Sequence, residues 1–365
     1  MANALIATDD QLAERAARWA RAPWLALDTE FVRVDTYYPK LCLIQVSDGA
    51  DSDCVDMLAL PQARALLNVI DDPKIVSVLH AASQDNEILV HLNGRVPSPI
   101  FDTQIAATLL GIGDQIGYAG LVEKRLGLIV DKSLSRTDWS RRPLKENEIT
   151  YAADDVRHLA EMYPALRKEL QDRGRLAWLE EDCARMNDPE QYRTHPQDAW
   201  QRLKGMQRLS AQEQTIAAAL AAWRESEAQR RDRPRKWILD DEPVYRIAQR
   251  APQNLAQLQD LKVLPPRTLE RHGKALIEIV AKAIAAPASI LAHPEEFSSA
   301  QTALLKKLQA VAQDIAAKLG VPASYLVSKS DLGKLVRDGA HAPIALLEGW
   351  RREAAGDQLL KLVPP

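Results

Sequence analysis

The sequence predicts an α/β domain with a mixed sheet flanked by helices, followed by two all-α modules. Residues 1–190 alternate short runs rich in Val, Ile and Leu with amphipathic stretches, whereas 191–365 contain almost no strand-like run. Charge changes at the same place. Residues 1–190 hold 21 Lys+Arg and 31 Asp+Glu (net −10), and residues 191–365 hold 26 and 19 (net +7). Between them lies MNDPEQYRTHPQ (186–197), a polar stretch with two prolines that reads as a boundary. At about 150 residues per domain, a chain of 365 residues accommodates two or three units. The expected domains are 1–190, 191–290 and 291–365.

WLALDTEF (24–31), LCLIQVSD (41–48) and CVDML (54–58) read as strands, the last two joined by a turn through Gly49 to Asp53. PQARALLNVI (61–70) reads as a helix with Pro61 in its first turn. KIVSVLH (74–80) is a buried strand, followed by a helix from Ser83 to near Leu92. PIFDT (99–103) is a short strand leading into IAATLLG. GYAGLVEKRLG (117–127) and a long stretch from Lys145 to Gly174 complete the helices of this half. Three early strands followed by alternating strand and helix give a sheet of mixed direction. In the second half, residues 220–261 read as helix, loop and two short helices. HGKALIEIVAKAI (272–284) then closes a helical unit.

Several classes are excluded. With 46% hydrophobic and 27% charged residues the chain is globular in composition. No apolar run approaches the roughly 18–20 residues that cross a bilayer. The start of the chain carries Asp9 and Asp10 and no basic stretch before an apolar one, so no signal peptide is expected. Cys42, Cys54 and Cys183 are odd in number and lack metal-type spacing. They fit a reducing, cytoplasmic setting and neither a disulfide scaffold nor a structural zinc.

Asp28 and Glu30 stand two apart in an apolar strand, so both project from one face. Two like charges buried side by side are costly unless a cation offsets them. The same pattern also arises by chance in a chain with 50 acids. Asp85 falls in the first turn of the helix after His80, where the helix dipole favours an acid in any case. His80 is read either as a hydrogen-bonded core residue or as a ligand. Tyr151 and Asp155 are four apart in the long helix and share a face, while Asp154 points about 100° away, toward solvent. Taken together, a strand Asp-x-Glu, an Asp at a strand-to-helix junction and a helical Tyr-x-x-x-Asp would converge at one sheet edge. Four carboxylates there form a hard oxygen site suited to Mg²⁺ or Mn²⁺. Two such ions would support phosphodiester hydrolysis. The Tyr151 phenol, of pKa near 10, is suited to orienting water rather than removing its proton.

ALDTEF, LHAASQDNEIL and YAADDVRHL resemble the three exonuclease motifs of the DEDD superfamily, and the tyrosine of the third places the chain in the DEDDy branch. RVDTYYPKLCLIQ (33–45), FDTQIAATLLG (101–111) and KSLSRTDWSRRPL (132–144) are similar to the ribonuclease D family. The resemblance implies a ribonuclease-H-like fold and hydrolysis from the 3′ end with release of 5′-mononucleotides. It also implies that Asp28, Glu30, Asp85 and Asp155 bind two divalent ions and that Tyr151 positions water. Asp102 either assists this site or caps the next helix, and Trp139 either packs or stacks on a base.

Lys132, Arg136, Arg141 and Arg142 form a basic patch within an acidic domain, read as phosphate contacts or as solvated charge. Arg230, Arg231, Arg233, Arg235 and Lys236 stand beside Trp237 in a basic loop that would attract phosphates and stack a base. The alternative is a solvated loop with Trp237 turned inward. Trp223-Arg224, Pro234, IAQRAP (247–252) and Gly273 resemble an HRDC domain. Residues 291–365 resemble a diverged second copy through Leu319, Tyr325, Leu326, Leu332, Leu335 and Trp350-Arg351. That copy lacks the Arg-rich loop, so packing is expected of it rather than RNA contact. The resulting expectation is a monomeric 3′→5′ exoribonuclease acting on 3′ extensions of tRNA precursors and other small structured RNAs. A DNA 3′ exonuclease and a nucleic-acid-binding protein with a silent nuclease fold are the alternatives.

Overall fold

The computed structural model describes residues 3–131, 133–291 and 297–364. The chain divides into two compact units. The first comprises Met1–Val32, Leu41–Tyr192 and Phe297–Pro365, and the second Arg33–Lys40 and Arg193–Glu296.

The first unit is built on a six-stranded sheet of β1 (Asn3–Ile6), β2 (Trp24–Val32), β3 (Lys40–Ser47), β4 (Ser52–Asp56), β5 (Val76–Leu79) and β6 (Ile100–Asp102). The strand order is β1-β4-β3-β2-β5-β6. β3 and β4 pair antiparallel, whereas β1–β4, β2–β5 and β5–β6 are parallel. Leu25, Ala26 and Leu27 of β2 are all buried, which is why that strand reads as a continuous apolar run. The helices of this part are α1 (Asp9–Trp19), α2 (Arg64–Ile70), α3 (Ser83–Asn93), α4 (Thr103–Leu109), α5 (Tyr118–Leu126), α6 (Glu146–Asp172) and α7 (Leu176–Ala184).

Three features depart from the sequence reading. β1 and α1 lie in a stretch to which the sequence reading assigns no element. α1 is capped by Thr8, whose side chain accepts from the Gln11 N–H, and it buries Leu12, Ala16 and Trp19 along one stripe. Pro61 lies outside α2, because the chain takes a left-handed step at Ala63 (φ +34°) before the helix begins at Arg64. The long helix ends at Asp172, and α7 is a separate element beyond Gly174, whose φ of +65° stops α6.

The second unit contains α8 (Ala211–Arg231), α9 (Arg235–Ile238), α10 (Asp241–Arg250), α11 (Leu255–Asp260) and α12 (Pro266–Ala285). Its core gathers Ile216, Leu220, Val244, Ile247, Leu258, Leu276 and Val280. Segment 33–40, expected with the α/β domain, belongs to this unit. The Asp232 carboxylate accepts the N–H groups of Tyr37 and Tyr38 at 2.9 Å each, and the Tyr37 hydroxyl donates to buried Glu225.

The C-terminal helices α13 (Ser299–Leu319), α14 (Ala323–Leu326) and α15 (Lys329–Asp338) repeat the order of α8, α9 and α10, with lengths of 21, 4 and 10 residues in both sets. Ser210 and Ser298 each open the long helix with a capping box, and Pro234 and Pro322 each precede the short one. These helices group with the sheet unit rather than standing alone. Buried Asp182 on α7 accepts from the Arg351 guanidinium, from the Tyr325 hydroxyl and from Trp350 Nε1 (3.2 Å). Trp178 stacks on Trp350 with centroids 4.4 Å apart. Gly349 has φ +46°, a left-handed conformation that favours glycine, and the Glu181 carboxylate lies against it where a Cβ would stand.

Candidate active site

β2 presents Asp28 and Glu30 from one face, and α6 brings Asp155 toward them. One ligand atom from each of these three side chains lies within 4.8 Å of the other two. Asp85, in the first turn of α3, stands beside this trio rather than in it. Its Oδ1 accepts from Thr29 Oγ1 at 2.5 Å. Its charge nevertheless acts on Asp28 and Glu30.

Burial, then Asp85, Asp155 and Glu30, push the Asp28 carboxyl well above the usual carboxylate range. Burial and the neighbouring carboxylates raise Glu30 to about 8. Asp85 and Asp155 are also raised, chiefly by burial. Carboxylates that repel one another in a place largely shielded from water are chemically suited to a hard divalent ion. The donor set is all oxygen, as Mg²⁺ and Mn²⁺ prefer. The residues present therefore fit the group.

Tyr151 lies one helical turn before Asp155 and shares with it a cavity of about 460 Å³, lined also by Gly117, Tyr118, Gly120 and Val130. Burial and the carboxylates raise the Tyr151 phenol to about 12, so it stays protonated at neutral pH. Its ring stacks on Trp139, with centroids 6.2 Å apart and planes at 26°. Trp139 is 2% exposed and packs inward. Tyr118 Oη donates to the Asp155 carbonyl at 2.7 Å and lies 3.2 Å from His158 Nδ1, tying α5 to the turn of α6 that carries Asp155. His80 Nδ1 is 2.9 Å from Thr103 Oγ1, and its ring meets Tyr118 edge to face. Those contacts place His80 as a packed, hydrogen-bonded residue. Asp154 is half-buried rather than solvated, paired with Arg157 at 2.6 Å. Thr29, Tyr118 and the Trp139–Tyr151 stack escaped the sequence reading, because each acts through a partner distant in the chain and none sits in a recognisable spacing.

The expected RNA contacts divide sharply. Arg142 is engaged internally, with Nε and Nη2 on the Asp56 carboxylate (2.7 and 2.6 Å) and a further bond to the Cys42 carbonyl. Burial opposes ionisation of Asp56, but the Arg142 hydrogen bonds hold it below the usual carboxylate range. Arg141 grips Glu148 in the first turn of α6 at 2.6 and 2.8 Å. Arg231 bonds Glu227 at 2.7 Å, and half-buried Arg235 bonds Glu225 and the Tyr37 hydroxyl. These four are internal fasteners, and the reason is local: each has a carboxylate within reach. Arg136 and Lys236 are exposed. Arg233 meets the exposed Asp35 at 3.4 Å and lies 6.0 Å from the Trp237 ring, which is 62% exposed rather than turned inward. Lys132 lies outside the described residues.

A family model for 3′-5′ exonucleases matches residues 3–171, and one for the HRDC domain matches residues 213–280. Ribonuclease D of Pseudomonas paraeruginosa is 39% identical over 361 residues, covering 97% of this chain and 96% of that protein. Ribonuclease D of Gluconacetobacter diazotrophicus is also 39% identical, covering 98% and 92%. The crystal structure of Escherichia coli RNase D, described as an exoribonuclease involved in structured RNA processing, superposes with a TM-score of 0.89. It is 32% identical and covers 99% of this chain and 98% of that one. The chain belongs to the ribonuclease D family of 3′-5′ exoribonucleases.

Proposed function

We propose that the protein trims 3′ extensions of tRNA precursors and other small structured RNAs, releasing 5′-mononucleotides through a site built on Asp28, Glu30, Asp85 and Asp155. The observation that carries this reading is the convergence of Asp28, Glu30 and Asp155 within 4.8 Å beside a nucleotide-sized cavity. The choice of structured RNA is supported by the description of the Escherichia coli relative.

Two divalent ions, Mg²⁺ or Mn²⁺, held by the four carboxylates would supply a nucleophilic water near neutral pH and charge stabilisation for the leaving 3′ oxygen. Thr29 fixes the Asp85 carboxylate through its hydroxyl. Tyr118 fixes the Asp155 turn. Tyr151, protonated and held by Trp139, donates a hydrogen bond that orients the attacking water. In the hydrolysis, the water oxygen bonds phosphorus as the bond from phosphorus to the 3′ oxygen of the penultimate nucleotide breaks. The terminal nucleotide departs with its 5′ phosphate, and the shortened chain keeps a 3′ hydroxyl. The first helical module supplies affinity through exposed Lys236 and Trp237, with Arg233 beside the ring.

A labelled 3′-tailed tRNA incubated with Mn²⁺ should yield labelled 5′-mononucleotides. Asp28→Asn and Asp155→Asn should abolish release while leaving the fold and RNA binding largely intact. Retained activity in either variant would overturn the assignment, and equal rates on DNA of the same sequence would overturn the choice of RNA.

A further inference from the structure

We propose that Asp102 is a positioning residue for Asp85. Its carboxylate ties the junction ahead of α3 to the start of α4, and so sets where Asp85 stands beside Thr29. The inference rests on the reading of Asp28, Glu30, Asp85 and Asp155 as the reactive set.

Asp102 closes β6 and is 2% exposed. Among the described residues its carboxylate meets no cation, and four backbone N–H groups satisfy it instead. Oδ1 accepts from Ala81 (3.2 Å), Gln104 (2.8 Å) and Ile105 (3.3 Å), and Oδ2 accepts from Ala82 (2.9 Å). The bonds from Gln104 and Ile105 cap α4, a task one oxygen of a serine performs elsewhere in this chain.

The other two bonds exceed what capping requires. Ala81 sits at φ +54°, the left-handed region that a residue with a Cβ enters only at a cost. α3 begins at Ser83 with no side-chain cap of its own, and the N–H of its N-cap residue Ala82 is the one that Asp102 Oδ2 holds. Asp85 follows three residues after Ala82, with Oδ1 at 2.5 Å from Thr29 Oγ1. A carboxylate buried between two element starts thus fixes a strained turn whose product is the placement of one acid.

Asparagine at 102 separates the two tasks. Its carbonyl oxygen can keep the three bonds made by Oδ1, but its amide nitrogen would face the Ala82 N–H, donor against donor. The α4 cap and the Ala81 bond survive, and the direct hold on the N-cap of α3 at Ala82 is lost. In the full chain acting on a 3′-tailed RNA with Mn²⁺, Asp102→Asn should lower kcat about 10–100-fold, the range seen when groups that orient metal ligands are removed. KM should stay within about twofold, as expected when an interaction specific to the transition state is lost. Mn²⁺ binding, read from the EPR signal of the free ion without RNA, should weaken in parallel. Ala81→Gly in the Asp102→Asn background should restore at least about threefold of the lost kcat, because without the Ala82 bond the left-handed step is held by the 3.2 Å Ala81 bond alone, and glycine takes that step at little cost. A loss of global stability alone would show no such rescue. Should Asp102→Asn fold poorly, Asp102→Ser keeps a capping oxygen and is expected to show the same pattern.

Asp85→Asn serves as the reference. If it is inactive while Asp102→Asn keeps wild-type kcat and Mn²⁺ affinity, the positioning role is overturned and the site stands. If Asp102→Asn loses kcat with unchanged Mn²⁺ affinity and no rescue by Ala81→Gly, the role is likewise overturned. An active Asp85→Asn overturns the site assignment itself.

Discussion

Tyr151 shows what one residue contributes and how much of it a sequence reveals. Its phenol, raised to about 12 by burial and the carboxylates, cannot serve as a base at neutral pH, yet it is anchored by Trp139 and faces the cavity shared with Asp155. Tyr151→Phe removes the hydroxyl and keeps the stack. We expect kcat to fall about 10–100-fold, in keeping with lost orientation of a reactant, with KM nearly unchanged. A steady-state comparison on one RNA checks it, and a large rise in KM with unaltered kcat would contradict the role. The spacing of Asp28, Glu30, Tyr151 and Asp155 could be read in advance because strand and helix periods place such residues on one face. Thr29 could not, since its partner lies 56 residues away, and Trp139 was legible as a ring that packs or stacks on a base but not as the partner of Tyr151. Arg142 looked like a phosphate contact for the same reason: its carboxylate, Asp56, is 86 residues distant, and charge is visible in a sequence where pairing is not.

At the scale of elements, the alternation of strand and helix was plain, but short or polar pieces were not. β1 has four residues, and α1 is mostly polar outside Leu12, Ala16 and Trp19. The C-terminal helices raise a different problem. The sequence sets them apart as a diverged second copy with a packing role, and a few side chains show what they pack on. Asp182 on α7 and Arg351 form an ion pair whose side chains are 5% and 9% exposed. Burial opposes the Arg351 charge, and the Asp182 hydrogen bond more than offsets this, so its pKa is raised. Asp182→Ala leaves that guanidinium buried and strips Tyr325 and Trp350 of an acceptor. Breaking such a pair on one side costs about 3–5 kcal/mol. Chemical denaturation should show a loss of that size in the transition of this unit. A change below about 1 kcal/mol would mean that the apolar contacts, with Trp178 on Trp350, hold the helices alone.

At the scale of the whole molecule, a formal net charge of −3 hides two unequal bodies. The first unit carries 28 Lys+Arg against 36 Asp+Glu, net −8, and the second 19 against 14, net +5. The negative unit holds carboxylates that divalent ions would offset, and the positive unit holds the exposed Trp237 with Arg233 and Lys236. Much of the basic loop is consumed internally, by Arg230 and Arg231 on Glu227 and by Arg235 on Glu225, so its affinity for nucleic acid is smaller than a count of cations suggests. The combined variant Arg233→Ala, Lys236→Ala and Trp237→Ala tests what remains. Each phosphate contact to a single strand contributes about 0.7 to the slope of log K against log salt, so losing two should flatten that slope by about 1.4. Loss of a stacking platform should weaken binding by a further amount on the order of 1–3 kcal/mol at every salt concentration. At saturating RNA, kcat should be unchanged, because the carboxylates and Tyr151 are untouched. An unchanged slope, measured by RNA titrations across a salt series, would assign the affinity to other surfaces and leave Trp237 as a solvent-exposed ring without a partner in RNA.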